Sequence, residues 1–328
     1  MTALTGESKI ADALASLTLE EKVKLLTGRD FWTTWPIEKI GLRRILVSDG
    51  PSGVRGETWD ERDPSLNLPS ATALSSSWDP DVARRYGAAA AVEARRKGVD
   101  VVLGPTINLH RSPLGGRHFE AFSEDPVLTA ELAAAYVHGV QDNGVGATPK
   151  HYIVNDSETD RFTVDVRVDD RTLRELYLLA FEKAVTEAHA WLVMSSYNSI
   201  NGVTGTENEL LETPLNSEWG FDGVVISDWT AARSKERRPR RTSSCRGQTV
   251  RGATPWLRPC GPGGSTRPSS TAKWPASSPS PSASAPSRAP PLPSPSMSKT
   301  GLHSLGTRLS KAPCCSRTAA SCHGTARR

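Results

Sequence analysis

Residues 220–229 read GFDGVVISDW, and this stretch decides the fold. Val224, Val225 and Ile226 form a β-branched apolar run, the pattern of a strand buried on both faces. The run breaks at once into Ser227, Asp228 and Trp229, so polar chemistry sits at the strand's C-terminal end. Working upstream, the same design recurs. Residues 191–194 lead into Ser195, Ser196, Tyr197 and Asn198, and 145–148 lead into Lys150 and His151. Residues 99–103 form another apolar run, and 44–47 lead into Ser48, Asp49 and Gly50.

Helical patterns separate these runs. Thr18 and Glu21 form a capping-box signal ahead of Val23, Leu25 and Leu26, with Gly28 placed to close that helix. Asp79 followed by Pro80 opens a second helix, which runs through Ala88, Ala89 and Ala90 towards Lys97. A third is expected around residues 171–188. Strand, polar end, helix, repeated in this way, is the layout of a (β/α)8 barrel, whose strand ends converge on one face. A doubly wound sheet also alternates strand and helix. It centres its ligand chemistry on a glycine-rich first turn, and neither GxGxxG nor GxxxxGK[ST] occurs here.

Charge divides the chain sharply. Residues 1–234 carry 23 basic and 35 acidic side chains, a net of −12. Residues 235–328 carry 17 basic side chains and one acid, Glu236, a net of +16, together with all five cysteines and 14 of the 24 prolines. The expectation is an α/β protein: an incomplete (β/α)8 TIM-like barrel over 1–234, then a disordered, low-complexity basic tail over 235–328. Cys314 and Cys315 have neither zinc-site nor disulfide-framework spacing. No stretch approaches the roughly 18 apolar residues of a membrane span, and the first residues lack a basic leader and an unbroken apolar core, so a cytoplasmic location is expected.

Singly, each polar strand end has a plain reading: Asp49 as a turn residue, Lys150 and His151 as a solvated pair, Asp228 as an N-cap, Trp229 as a core aromatic. Several such ends in one chain point instead to a shared site. SDGPSGVRG (48–56), GPTINLHRSPLGGRHFEAFSEDP (104–126), KHYIVNDSETDR (150–161), MSSYNSINGV (194–203) and GFDGVVISDW (220–229) resemble the N-terminal barrel of the family 3 glycoside hydrolases, bacterial β-glucosidases in particular. The resemblance covers nearly all of residues 1–234.

That resemblance implies roles. Asp228 matches the nucleophile that forms a covalent glycosyl-enzyme intermediate, a task for which a carboxylate beside an oxocarbenium-like centre is suited. Asp49, Arg55, Arg117, Lys150, His151, Arg161 and Tyr197 match residues of the sugar pocket, and Trp229 offers a platform for the sugar face. The implied activity is hydrolysis of terminal β-D-glucosyl or similar residues with retention, on a small oligosaccharide or aryl β-glucoside. No metal, organic cofactor, membrane or nucleic-acid partner is expected. The acid/base that retention also needs lies, in that family, beyond the barrel. Glu124 and Asp125 lie near a motif, but the resemblance assigns neither that role.

Residues 241–253 carry a further signal. In a shifted frame, Thr242 to Cys245 can be read as codons NTC, NTC and NTG, and the stretch through Ala253 permits DLVMPGPDGPWG, the family's next strand. The reading frame is therefore expected to slip near Ser234, which would leave the barrel with two unpaired edges. A catalytically inactive, weakly sugar-binding fragment is the alternative reading. A basic nucleic-acid-binding protein is the remote one.

Overall fold

The computed structural model describes residues 6–58, 60–232, 243–245 and 248–250. The chain divides into two units, Met1–Ser269 and Ser270–Arg328, and every described residue belongs to the first. Its strands are β1 (Val47–Ser48), β2 (Val101–Val102), β3 (Gly146–Ala147), β4 (Lys150–Tyr152), β5 (Asp165–Val166), β6 (Leu192–Ser195), β7 (Ser199–Ile200), β8 (Val203–Thr204), β9 (Val224–Trp229), β10 (Ser243–Cys245) and β11 (Gln248–Val250).

Parallel pairing runs β1–β2–β3 in one sheet and β4–β6–β9 in another. The two sheets are one wall. β3 and β4 belong to a single extended stretch interrupted at Pro149, which has no N–H to give the ladder. Across the break Lys150 donates its backbone N–H to Pro105, and Ile107 donates to Lys150 (2.9 and 2.8 Å). Five parallel runs therefore stand side by side in chain order, as in a barrel.

Alternation along the strands sorts their side chains into two cores. Val47, Val101, Leu103, Leu192, Met194, Val224 and Ile226 meet on one side. Leu46, Val102, Ala147, Val193 and Val225 point the other way, towards the helices. An apolar core inside the curve of the wall as well as beneath the helices distinguishes a barrel from an open sheet. Full burial of a side chain such as Ile226 contributes about 1.5–3 kcal/mol.

Helix α1 (Gly6–Ser16) precedes α2 (Leu19–Leu25), whose Thr18–Glu21 capping box forms as expected. The helix ends at Leu26 rather than at Gly28. After the short α3 (Ala71–Ser75), α4 (Pro80–Arg96) and α5 (Pro126–Gln141) both start with an aspartate cap and a proline at the first helical position. Asp125 is spent on that cap, accepting from the backbone of Val127 and Leu128. The two helices cross at glycines. A Cβ at Gly87 would lie 2.4 Å from the Tyr136 carbonyl oxygen, and one at Gly139 would lie 2.1 Å from that of Arg84. Where one helix was expected over 171–188, α6 (Asp170–Thr172), a π-helical turn over Leu173–Tyr177 and α7 (Leu179–Thr186) follow in succession.

A separate small sheet is formed by β5–β7–β8. Its β7–β8 hairpin turns at Asn201 and Gly202, both with positive φ (51° and 93°), the geometry that Asn-Gly favours.

Neither edge of the wall is bare, contrary to the expected pair of open edges. On the β1 side, Thr33 bridges Leu46 antiparallel and Val47 donates its N–H to the Trp32 carbonyl (2.8 Å). On the other side, β10 pairs parallel and β11 antiparallel with β9. An open strand edge presents unpaired N–H and C=O groups, and any nearby backbone can take them up. Those six residues fall within the stretch expected to be disordered. The rest of 235–328, Glu236 included, lies outside the described residues.

Candidate active site

Because the strands are parallel, their C-terminal ends open on one side. Asp49 follows β1, Lys150 and His151 lie on β4, Tyr197 follows β6, and Asp228 and Trp229 end β9. Arg117 and Arg161 are carried on the loops after β2 and β4. All eight line one cavity of about 550 Å³, together with Trp32, Leu103 and Met194. The volume accommodates a sugar ring.

Arg55 is the exception among the expected pocket residues. Its neighbour Val54 is buried in the core, and Arg55 itself is exposed. Arg55 is absent from the cavity lining, although its charge is felt at Asp49 and its backbone N–H closes the turn onto the Asp49 carbonyl (3.1 Å).

The Lys150 ammonium stands 2.9 Å from Asp49 Oδ1. Burial alone would raise the Asp49 pKa, but the attraction and hydrogen bond of Lys150 outweigh it and hold the carboxyl at about 2. Asp49 is therefore a fixed anion, suited to accepting hydrogen bonds from sugar hydroxyls.

His151 is 2% exposed, and burial pushes its pKa well down, with Arg117, Lys150 and Arg161 adding repulsion. It is neutral, and its tautomer follows from its neighbour. Asn108 donates from Nδ2 to the His151 carbonyl (3.0 Å), and its Oδ1 accepts the His151 backbone N–H (2.9 Å). The same oxygen faces His151 Nδ1 at 3.1 Å, so Nδ1 carries the proton. Nε2 is then an acceptor, and the Arg117 guanidinium donates to it (3.2 Å).

Arg117 is gripped elsewhere by both oxygens of Glu120 (3.1 and 2.9 Å) and lies 3.6 Å from Glu158. Glu158 in turn accepts from Arg161 (2.8 Å) and Asn155 (3.3 Å). The Arg161 guanidinium lies over the rings of Tyr197 and Phe162 (4.7 and 4.9 Å), which pack edge to face.

Asp228 is 8% exposed, and burial raises its pKa against the opposing pull of the Trp229 N–H, Lys150, Tyr197 and Arg117. Its Oδ1 accepts the Trp229 backbone N–H (2.7 Å), it accepts from the Tyr197 hydroxyl, and its Oδ2 lies 3.5 Å from His151 Nε2. It caps no described helix, since β9 continues through it. A buried carboxylate of raised basicity, facing a cavity, has the character of a nucleophile. Trp229 packs on Trp32 with ring centroids 5.4 Å apart and donates from Nε1 to the Phe31 carbonyl (3.0 Å).

Sequence reasoning missed Trp32, Asn108, Glu120 and Glu158. A signal existed for the glutamates, because Arg117–Glu120 and Glu158–Arg161 are each an acid and a base three residues apart. Asn108 sits inside a quoted motif but far from His151 in sequence. No cluster of His, Cys, Asp or Glu able to hold a metal ion occurs among the described residues.

Comparison with known proteins matches this architecture. The family model described as "Glycosyl hydrolase family 3 N terminal domain" matches residues 37–247, so the matched span continues past the boundary expected at 234. A β-glucosidase of Rhizobium radiobacter is 52% identical over 227 residues, 69% of this chain and 28% of that protein. An exo-α-(1→6)-L-arabinopyranosidase of Bifidobacterium longum is 46% identical over 228 residues, 67% of this chain and 30% of its own length. Among solved structures, β-glucosidase 3B of Thermotoga neapolitana in complex with α-D-glucose superposes with a TM-score of 0.64 at 41% identity, over 67% of this chain and 34% of that one. The chain thus spans less than a third of the length of these curated relatives, and within that span it belongs to glycosyl hydrolase family 3, whose N-terminal domain it carries.

Proposed function

We propose that this cavity binds the terminal non-reducing β-D-glucosyl or similar unit of a small oligosaccharide or aryl β-glucoside. Asp228 is the nucleophile of a retaining displacement in this reading. The observation that carries it is the placement of a buried Asp228, of raised pKa, beside Tyr197, His151 and the Asp49–Lys150 pair in one cavity. Asp228 attacks the anomeric carbon, while Asp49, Lys150, Arg117, His151 and Arg161 hold ring hydroxyls and Trp229 faces the ring. Its ionised form is the reactive one, so ester formation weakens as pH falls through a carboxyl pKa above the ordinary aspartate range. The names of the relatives, a β-glucosidase and an arabinopyranosidase, support a second reading in which the ring is a pentopyranose.

A mechanism-based 2-deoxy-2-fluoroglucoside with a dinitrophenyl leaving group tests the assignment. Mass spectrometry of the digested protein should find the sugar ester on Asp228 and on no other residue. An ester elsewhere, or none, overturns it. The reading also includes a cytoplasmic location, tested by cell fractionation, and a frame change near residue 234, tested by sequencing the coding strand there.

A further inference from the structure

His151 Nε2 lies between two charged groups of the cavity, 3.2 Å from Arg117 Nη1 and 3.5 Å from Asp228 Oδ2. One ring nitrogen can serve only one of them. Bare, Nε2 accepts from the guanidinium and turns a lone pair to the carboxylate; protonated, it donates to the carboxylate and sets an N–H against those of Arg117. Burial and the cations Arg117, Lys150 and Arg161 oppose a doubly protonated ring, while Asp228 favours it. Burial and the three cations prevail, so a single proton is placed on either Nδ1 or Nε2.

Asn108 decides where that proton sits. Its amide cannot be turned over, because Nδ2 donates to the His151 carbonyl and Oδ1 accepts the His151 backbone N–H. The reverse orientation would set donor against donor and acceptor against acceptor. The atom beside Nδ1, at 3.1 Å, is therefore an acceptor. The backbone on either side of Asn108 is pinned as well. Ile107 donates its N–H to the Lys150 carbonyl, and Leu109 donates to Asp156 Oδ1, both at 2.8 Å. Asn108 is buried and absent from the lining of the sugar cavity, so what it does there passes through His151.

We infer that Asn108 is a positioning residue of the displacement: by holding the His151 proton on Nδ1, it keeps the imidazole from donating to Asp228 and leaves Nε2 to orient Arg117. The inference rests on the nucleophile reading above and adds to it the group that sets the nucleophile's strength. Asp228 accepts from the Trp229 N–H and from the Tyr197 hydroxyl. A further donor at Oδ2 would stabilise the free carboxylate more than the ester, in which its charge is gone, and attack would slow.

The experiment uses the whole 328-residue chain, isotopically labelled at its histidine nitrogens, and reads two quantities. Nitrogen NMR reports which ring nitrogen carries the proton, the His151 signals being those lost in His151→Gln. Release of dinitrophenolate from 2,4-dinitrophenyl 2-deoxy-2-fluoro-β-glucoside reports the rate of attack. In the unaltered chain His151 should show a protonated Nδ1 and a bare Nε2 throughout the range from about pH 5 to 8 in which an ordinary histidine titrates. Asn108→Leu removes the acceptor. The proton should pass to Nε2, and attack should slow roughly 10-fold, the worth of one hydrogen bond to a charged group. Asn108→Asp keeps an acceptor for the backbone N–H but sets a carboxylate on Nδ1, so His151 should take up a second proton as pH falls. Attack should then fail at a higher pH than in the unaltered chain.

A bare Nδ1 in the unaltered chain overturns this inference alone. So does a proton that stays on Nδ1 in the leucine variant, or one that moves while attack keeps its rate. If the leucine variant does not fold, the aspartate variant decides: attack that fails at the unaltered pH overturns the inference. No sugar ester on Asp228 in the unaltered chain overturns the nucleophile reading and this inference together.

Discussion

Arg117 and Asp228 flank the same ring nitrogen of His151, yet they are held by different means. Arg117 has Glu120 on two bonds, Glu158 at 3.6 Å and His151 as an acceptor, and those partners are themselves fixed by Arg161, Asn155 and Asn108. Asp228 accepts one backbone N–H from its own neighbour and one phenol hydroxyl, and it rides on β9. The contrast has a chemical reason. Each hydrogen bond to a carboxylate stabilises its charge and lowers its basicity, so an Asp228 braced like Arg117 would be a poorer nucleophile. In the proposed reading the groups around Arg117 only bind sugar, so they can be rigid. In the same reading Asp228, the reacting group, is lightly held, and its position depends on the seating of β9.

The sharpest break of this contrast is Asp228→Asn. Formation of the sugar ester should fall by several orders of magnitude. The melting temperature should rise, because the variant no longer buries a carboxylate whose ionisation burial opposes. A lower melting temperature would show that Asp228 braces the fold after all. On the rigid side, Gly139→Ala forces a Cβ to within 2.1 Å of the Arg84 carbonyl oxygen and should cost about 1–3 kcal/mol in urea unfolding. A neutral result would mean that α4 and α5 yield freely behind the wall.

The Asp49–Lys150 pair gives a pH test. The folded-state pKa of Asp49, about 2, lies below its ordinary 3.8, so the pair contributes stability above pH 4. That contribution, about 2 kcal/mol, is lost as pH falls from about 4 to 2. Asp49→Asn should flatten the urea-unfolding profile across that window. The smallest expected effect belongs to Glu158→Gln, which loosens two arginines without emptying the cavity. Glucose affinity measured by titration calorimetry should drop roughly fivefold, the equivalent of about 1 kcal/mol. An unchanged affinity would place Arg117 under the control of Glu120 alone.

How far the sequence could be read depended on distance along the chain. Asp228, Lys150 and His151 were legible because apolar runs end directly at them. Arg117 and Arg161 stand on loops, where no periodicity marks a residue, and were legible through family motifs. Trp32 and Asn108 reach the site from segments remote from the residues they touch, a relation that one sequence does not contain. Arg55 shows the same limit at short range: it sits in a quoted motif close enough for its charge to reach Asp49, yet it is exposed and outside the cavity lining. The π-helical turn over Leu173–Tyr177 escaped because a local change of helical winding leaves the apolar pattern nearly intact.

Trp32 and Trp229 have one more consequence. Trp32 belongs to the segment that covers the outer edge of β1, and Trp229 ends β9, so their contact links the cover of the first run to the end of β9. Within the wall, neighbouring runs are tied by backbone ladders whose register cannot slide without exchanging bonds. Among the described residues, Trp32 and Trp229 meet as two tilted rings, with the Trp229 indole N–H on the Phe31 carbonyl beside them. Ring against ring has no register. A shift of one ring against the other therefore exchanges no ladder bond, and Trp229 is the residue beside Asp228.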